Sequence, residues 1–127
     1  MGIQGIDHIN ISTDRLAETV SFFKTVLGLT DGFRPAFPFG GEWLYQGDQA
    51  VVHIIEKDRA MVPSSQASLD HFAFVIDDFE AMQARLQANG IDYRELQTPG
   101  TSIRQMFLQD PNGVNIELNW KGDRPTG

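Results

Sequence analysis

The chain has 127 residues, a formal net charge of −7, no cysteine, and 41% hydrophobic against 21% charged residues. That balance excludes disulfide and thiolate chemistry and a membrane span, which needs a run of about eighteen apolar residues. With no cluster of Lys and Arg it also excludes nucleic acid and an anionic membrane surface as partners, since both require a positive field. The length suits one compact domain or two small modules, burying roughly two thirds of the surface that the unfolded chain exposes. The first residues lack the basic and apolar regions of a signal peptide, and a reducing cytoplasm is the expected location.

In chain order, Ile3 to Ile11 alternates as a strand, with Ile9 and Ile11 on one face and Ile6, His8 and Asn10 on the other. Asp14 is predicted to cap a helix that turns Leu16, Val20, Phe23 and Leu27 inward and stops at Gly28. A Phe-, Pro- and Gly-rich stretch from Leu29 to Phe39 follows. Trp43 to Tyr45 and Ala50 to Ile55 then form two strands about Gly47-Asp48, with His53 pointing alongside Val51 and Ile55. The first module therefore covers about residues 1–56, and the polar, aperiodic stretch 57–68 around Pro63 is the linker.

The second module covers about residues 69–120. It begins with a strand from Leu69 to Ile76, then a helix from about Asp78 to Asn89 with Phe79, Met82 and Leu86 inward, ended by Gly90. A strand near Tyr93 precedes a hairpin of Ile103 to Leu108 and Val114 to Asn119, closed by Asp110-Pro111-Asn112-Gly113. Glu117 shares a face with Asn115 and Asn119, while Val114, Ile116 and Leu118 supply the packing on the other. The tail 121–127 is predicted to fray.

The two halves are the same segment written twice. Asp7-His8-Ile9-Asn10-Ile11 aligns with Asp70-His71-Phe72-Ala73-Phe74, and an Asp follows six residues after each histidine, at Asp14 and Asp77. His8 to His53 is a step of 45 residues and His71 to Glu117 one of 46, so His53 and Glu117 occupy equivalent positions. Each copy reads as strand, helix and three strands, which makes the fold α+β: two tandem βαβββ modules. A helix covers only one face of each curled sheet, and two free faces related by a pseudo-twofold axis would enclose a metal cavity at which His8, His53, His71 and Glu117 converge.

With these residues in hand, the chain resembles the vicinal oxygen chelate superfamily, which includes glyoxalase I, bleomycin resistance proteins and extradiol dioxygenases. The resemblance runs from Ile3 to Trp120 as one domain. It rests on Asp7-His8-Ile9, on Phe22-Phe23-Lys24-Thr25-Val26-Leu27-Gly28-Leu29, on Leu69-Asp70-His71-Phe72-Ala73-Phe74, and most specifically on Phe107-Leu108-Gln109-Asp110-Pro111-Asn112-Gly113-Val114-Asn115-Ile116-Glu117. It implies a glyoxalase-like fold, a homodimer, and a divalent metal held by His8, His71 and Glu117. His53 stands where relatives carry Glu or Gln, which leaves it as a fourth ligand, an acid or base, or a residue that orders substrate.

Imidazoles with one carboxylate suit one divalent transition metal, among Zn, Fe, Mn, Co and Ni, and disfavour Ca²⁺ and Mg²⁺. Open coordination positions would accept two adjacent oxygens of a small substrate and stabilise an enolate or alkoxide. The expected activity is that of a glyoxalase-like lyase, isomerase or dioxygenase, with Glu117 and His53 as catalytic groups. Asn10, Gln105, Phe107 and Arg34 are the expected substrate contacts, the last beside the aromatic cluster of Phe33, Phe37, Phe39, Trp43 and Tyr45. The alternative is a metal-free small-molecule binding protein of the bleomycin resistance type. A lone strand histidine is ordinarily a half-buried, hydrogen-bonded side chain, and Phe107 and the aromatic cluster are equally readable as packing.

Overall fold

The computed structural model describes residues 2–122; the predicted tail lies outside them beyond Gly122. The described chain divides into two compact units, with the division between Met61 and Val62. Each has the order strand, helix, three strands. No helix among the described residues is long and apolar enough to cross a membrane.

The first unit consists of β1 (Ile9–Thr13), α1 (Leu16–Ser21), β2 (Thr30–Asp31), β3 (Gly41–Gln46) and β4 (Gln49–Glu56). Its sheet order is β1-β4-β3-β2, with β1 parallel to β4 and the other pairs antiparallel. Alternation assigns the two faces as the sequence requires. Ile11, Leu44, Val52 and Ile54 are buried on the helix side with Phe23, each apolar side chain contributing about 1.5–3 kcal/mol. Asn10, Trp43 and His53 lie side by side on the other face.

Two local expectations are corrected in this unit. The strand begins at Ile9, not Ile3; Ile3 and Ile6 are 96% and 87% exposed. Its partner strand begins only at Gln49, and the Gln49 amide holds the approaching segment instead, donating to the Asp7 carbonyl at 2.6 Å. Asp14 does not cap the helix. The Thr13 hydroxyl accepts from the Arg15 N–H at 2.8 Å and meets the Thr19 hydroxyl at 3.1 Å, and Thr19 in turn donates to the Arg15 carbonyl. Both threonines are fully buried.

The inward face of α1 is rotated accordingly: Thr19, Phe22, Phe23 and Val26 are buried, whereas Leu16, Val20 and Leu27 are half-buried. The turn Phe22–Val26 that continues α1 is π-helical. Gly28 ends it with a φ of 80°, as predicted, and the Leu29 N–H returns to the Phe23 carbonyl at 3.0 Å.

The second unit repeats the pattern with β5 (His71–Ile76), α2 (Phe79–Ala88), β6 (Arg94–Gln97), β7 (Arg104–Gln109) and β8 (Asn115–Trp120), in the order β5-β8-β7-β6. Asp78 caps α2 by accepting from the Ala81 N–H at 3.0 Å. Phe79, Leu86, Met106, Ile116 and Leu118 form the core. Asp110 is buried in the β7–β8 turn, where one oxygen accepts from the Asn112 and Val114 N–H groups at 2.8 and 2.9 Å. Burial raises its carboxyl above the ordinary value, and these hydrogen bonds oppose the rise.

Part of the stretch read as linker has structure of its own. Ser64–Gln66 forms a 3-10 turn; the buried Ser64 hydroxyl donates to the Asp70 carbonyl at 2.6 Å and accepts from the Asn115 N–H at 2.8 Å. Asp70 and Asn115 are the neighbour and the cross-strand partner of His71, so Ser64 pins the end of the sheet that carries it.

Candidate metal and substrate site

In the first unit, His8 lies one residue before β1 and its Nδ1 faces the Asp7 carboxylate at 2.6 Å. An acceptor on Nδ1 fixes the tautomer and leaves Nε2 as the remaining donor atom. His53 is sandwiched between two rings. Its centroid is 3.6 Å from that of His8 at an interplanar angle of 9°, and 3.9 Å from that of Trp43 at 15°. Burial, and then the charge of His8, lower its pKa, with a hydrogen bond to the Ala50 backbone and Asp7 opposing.

This stacking separates the roles of two expected ligands. An imidazole lone pair lies in the ring plane and reaches a metal about 2.0–2.1 Å away. Two stacked rings with centroids 3.6 Å apart and planes within 9° of parallel do not aim their lone pairs at one point, so His8 and His53 as arranged do not ligate one ion. Asn10 is exposed beside His53.

Arg34 organises the aromatic loop. Its guanidinium lies 5.0 and 5.4 Å from the ring centroids of Phe37 and Phe39, Nη2 donates to the Phe39 carbonyl at 3.1 Å, and Nε is buried without a hydrogen-bond partner. Phe39, Phe37, Trp43, His53 and His8 form a continuous run of neighbouring rings. Phe37 and Phe39 stay more than two fifths exposed.

In the second unit, His71 opens β5 with Nδ1 against Asp70 at 2.8 Å and Nε2 against Glu117 Oε1 at 3.0 Å. The Asp70 hydrogen bond, and then the Glu117 charge, outweigh partial desolvation and raise the pKa of His71. The donor spacing suits a cation: two ligands at about 2.1 Å from an octahedral ion and at right angles to one another are roughly 3.0 Å apart. Asp70 stands behind His71 as a carboxylate stands behind the imidazoles that bind metals in general. Glu117 Oε2 accepts from Gln105 Nε2 at 3.3 Å, and Phe107 lies directly across the ladder from Glu117.

A cleft of about 390 Å³ is lined by Asp70, His71, Arg94, Phe107, Asn115 and Glu117. Arg94 escaped the sequence reading. It pairs with Phe107 across β6 and β7, its guanidinium 4.9 Å from the ring centroid, which places a cation on the cleft wall. The signal available was parity: once Phe107 is assigned to the polar face, its cross-strand neighbour belongs there too.

Among the described residues, no three His, Asp or Glu side chains form one ready metal cluster. The structure brings together His71 with Glu117 in the second unit, and His8 with His53 in the first. The donor chemistry of the His71–Glu117 pair fits a divalent cation, and in the first unit His8 presents an imidazole oriented by Asp7.

A sequence profile of the Glyoxalase/Bleomycin resistance protein/Dioxygenase superfamily matches residues 5–118. The chain belongs to that superfamily. Within it, the chain is 28% identical over 120 residues to a protein named Glutathione transferase FosA from Serratia marcescens, covering 92% of this chain and 81% of that one. It is 25% identical over 127 residues to Glyoxylase I 4 from Arabidopsis thaliana, covering 91% and 70%. A glyoxylase/bleomycin resistance protein/dioxygenase domain from Frankia sp. EAN1pec superposes with a TM-score of 0.79 at 13% identity, over 94% of this chain and 99% of that one. Members of the superfamily typically use a divalent metal, commonly act on small molecules and commonly form dimers.

Proposed function

We propose that this chain is a metal-dependent enzyme acting on a small oxygenated substrate that carries an anionic group. The observation behind this reading is the His71–Glu117 pair at cation spacing in a cleft with Arg94 on its wall. In this reading His71 and Glu117 hold one divalent transition metal (Zn, Fe, Mn, Co or Ni), and His8 is a further imidazole available as a ligand. Bound there, the metal polarises two adjacent substrate oxygens and stabilises negative charge as it develops.

The chain's own residues supply orientation and proton handling. Asp7 and Asp70 fix the imidazoles, Arg94 takes the anionic group, and the Phe107 face limits access of water. Asn10, on the polar face of the first sheet, is a hydrogen-bonding contact. Glu117 and His53 are the proton acceptors available for chemistry beside a carbonyl. Lyase, isomerase and dioxygenase reactions all use this constellation, and likeness to a FosA transferase adds group transfer to an oxyanion-bearing substrate.

The test loads the metal-free protein with Mn²⁺ or Co²⁺ and titrates simple chelating anions, oxalate and phosphonoformate. The expected result is one metal per site, anion binding only with metal present, and affinity at least about tenfold lower in Arg94→Met, the loss of one charge-assisted contact. Absence of metal uptake, or anion binding indifferent to metal, contradicts the reading.

A second reading, a metal-free binding protein, draws on the exposed ring column from Phe39 to His8. It predicts uptake of flat aromatic ligands by metal-free protein, with quenching of Trp43 fluorescence that Trp43→Phe removes.

A further inference from the structure

Glu117 sits in a hydrogen-bonded ladder on the polar face of the second sheet. Two cross-strand amide pairs flank it. Gln105 Nε2 donates to Asn119 Oδ1 at 3.1 Å on one side, and Gln109 Nε2 donates to Asn115 Oδ1 at 2.9 Å on the other. Of the two pairs, the Gln105 pair also reaches the carboxylate: Gln105 Nε2 donates to Glu117 Oε2 at 3.3 Å, and Asn119 Nδ2 approaches the same oxygen at 3.5 Å.

The Gln105 amide is fully committed. Its two N–H groups go to Glu117 and Asn119, and its Oε1 accepts from the Thr98 hydroxyl at 3.1 Å. A flipped amide would set Oε1 against a carboxylate oxygen, so the charge of Glu117 itself selects the orientation. Thr98 is fixed in turn by its loop. Its N–H donates to the Ile103 carbonyl at 3.0 Å, and its carbonyl accepts from the Thr101 N–H and hydroxyl at 3.2 and 2.9 Å. Both N–H groups of Gln105 are thus engaged within its own sheet.

We propose that Gln105 is a positioning residue for Glu117. Held by Thr98 and Asn119, it fixes Oε2 and leaves Oε1 aimed at His71 Nε2 and at an incoming cation. Glu117 is the most shielded member of the pair, with its side chain 16% exposed against 44% for His71, so its rotamer is set by these amides more than by water. This assignment rests on the reading of Glu117 as a metal ligand. Hydrogen-bond partners behind metal ligands typically alter metal affinity about 10–100-fold when removed.

The experiment measures Co²⁺ affinity by calorimetry and the Co²⁺ visible absorption of the full chain. Gln105→Leu is expected to bind about 10–100-fold more weakly than wild type with a changed visible band. Gln109→Leu, which breaks the pair that does not reach Glu117, is expected to stay within about threefold, as an uncoupled position does. Thr98→Val is expected to weaken binding and Thr98→Ser to restore it, which a general loss of folding does not reproduce and which keeps the test available if Gln105→Leu misfolds. Wild type that binds Co²⁺ while Gln105→Leu and Thr98→Val match it overturns the positioning role alone. Wild type that binds no Co²⁺ overturns this role together with the metal reading beneath it.

Discussion

The two histidines with displaced pKa values, His53 and His71, are displaced in opposite directions, and the difference is testable in metal-free protein. His53 is lowered by burial and by His8, so below about pH 6.5 the unfolded chain takes up a proton that the folded chain resists. Its contribution to stability falls as the pH drops from that value towards its lowered one. His71 is raised by Asp70 and Glu117; its contribution is complete below about pH 6.5 and disappears as the pH climbs through its raised value. Thermal melts across pH 5 to 8.5 are therefore expected to show a shallower acid-side decline in His53→Gln and a shallower alkaline-side decline in His71→Gln. Curves parallel to wild type in both variants would refute the assignment. Because His53 is stacked on His8 and Trp43, His53→Ala is also expected to retain metal stoichiometry, checked by elemental analysis. Legibility at this scale was uneven. The Asp-His doublets and the face of Glu117 follow from repetition and alternation. The stacking of His53 and the full commitment of Gln105 depend on side chains brought together across strands, which spacing along the chain does not encode.

At the scale of elements, turn chemistry was legible and helix entry was not. Asp110-Pro111-Asn112-Gly113 forms the turn its residues dictate, with Gly113 at a φ of 81°. Asp110→Ala removes the acceptor for two backbone N–H groups and is expected to cost about 2–3 kcal/mol in chemical denaturation, loosening the strand that carries Glu117. A cost below about 0.5 kcal/mol, the range of an ordinary surface substitution, contradicts that account. At α1 the sequence offers Asp14, an excellent cap by type, yet no side chain caps the helix, and its entry is held by the buried Thr13 hydroxyl, which accepts from the Arg15 N–H and meets Thr19. Thr13→Val preserves shape and removes the hydroxyl, with an expected cost of about 1–3 kcal/mol; Asp14→Ala is expected to cost less than about 0.5. The reversed order in urea denaturation would restore Asp14 as the cap. The buried set of Thr19, Phe22, Phe23 and Val26 keeps helical spacing but lies one step from the stripe of Val20, Phe23 and Leu27, because the buried Thr13–Thr19 contact turns that side inward.

For the whole molecule, the duplicated plan is what sequence and structure share most fully: both units place a parallel edge strand beside the last strand and free one face of the sheet. Superfamily membership and the βαβββ repeat follow from that plan, because alternation and glycine stops are local signals that tertiary packing did not override. The chemistry on the free faces is sparser in the sequence, as Arg94 shows, since only a known strand register tells which cation meets which ring. The proposal turns on the Asp70-supported His71 and Glu117 serving one cation. An anomalous-scattering map from crystals grown with Co²⁺ tests it most directly. The account predicts a peak about 2.0–2.2 Å from His71 Nε2 and from a Glu117 oxygen. A fully loaded crystal whose peaks all lie away from His71 and Glu117 would contradict it.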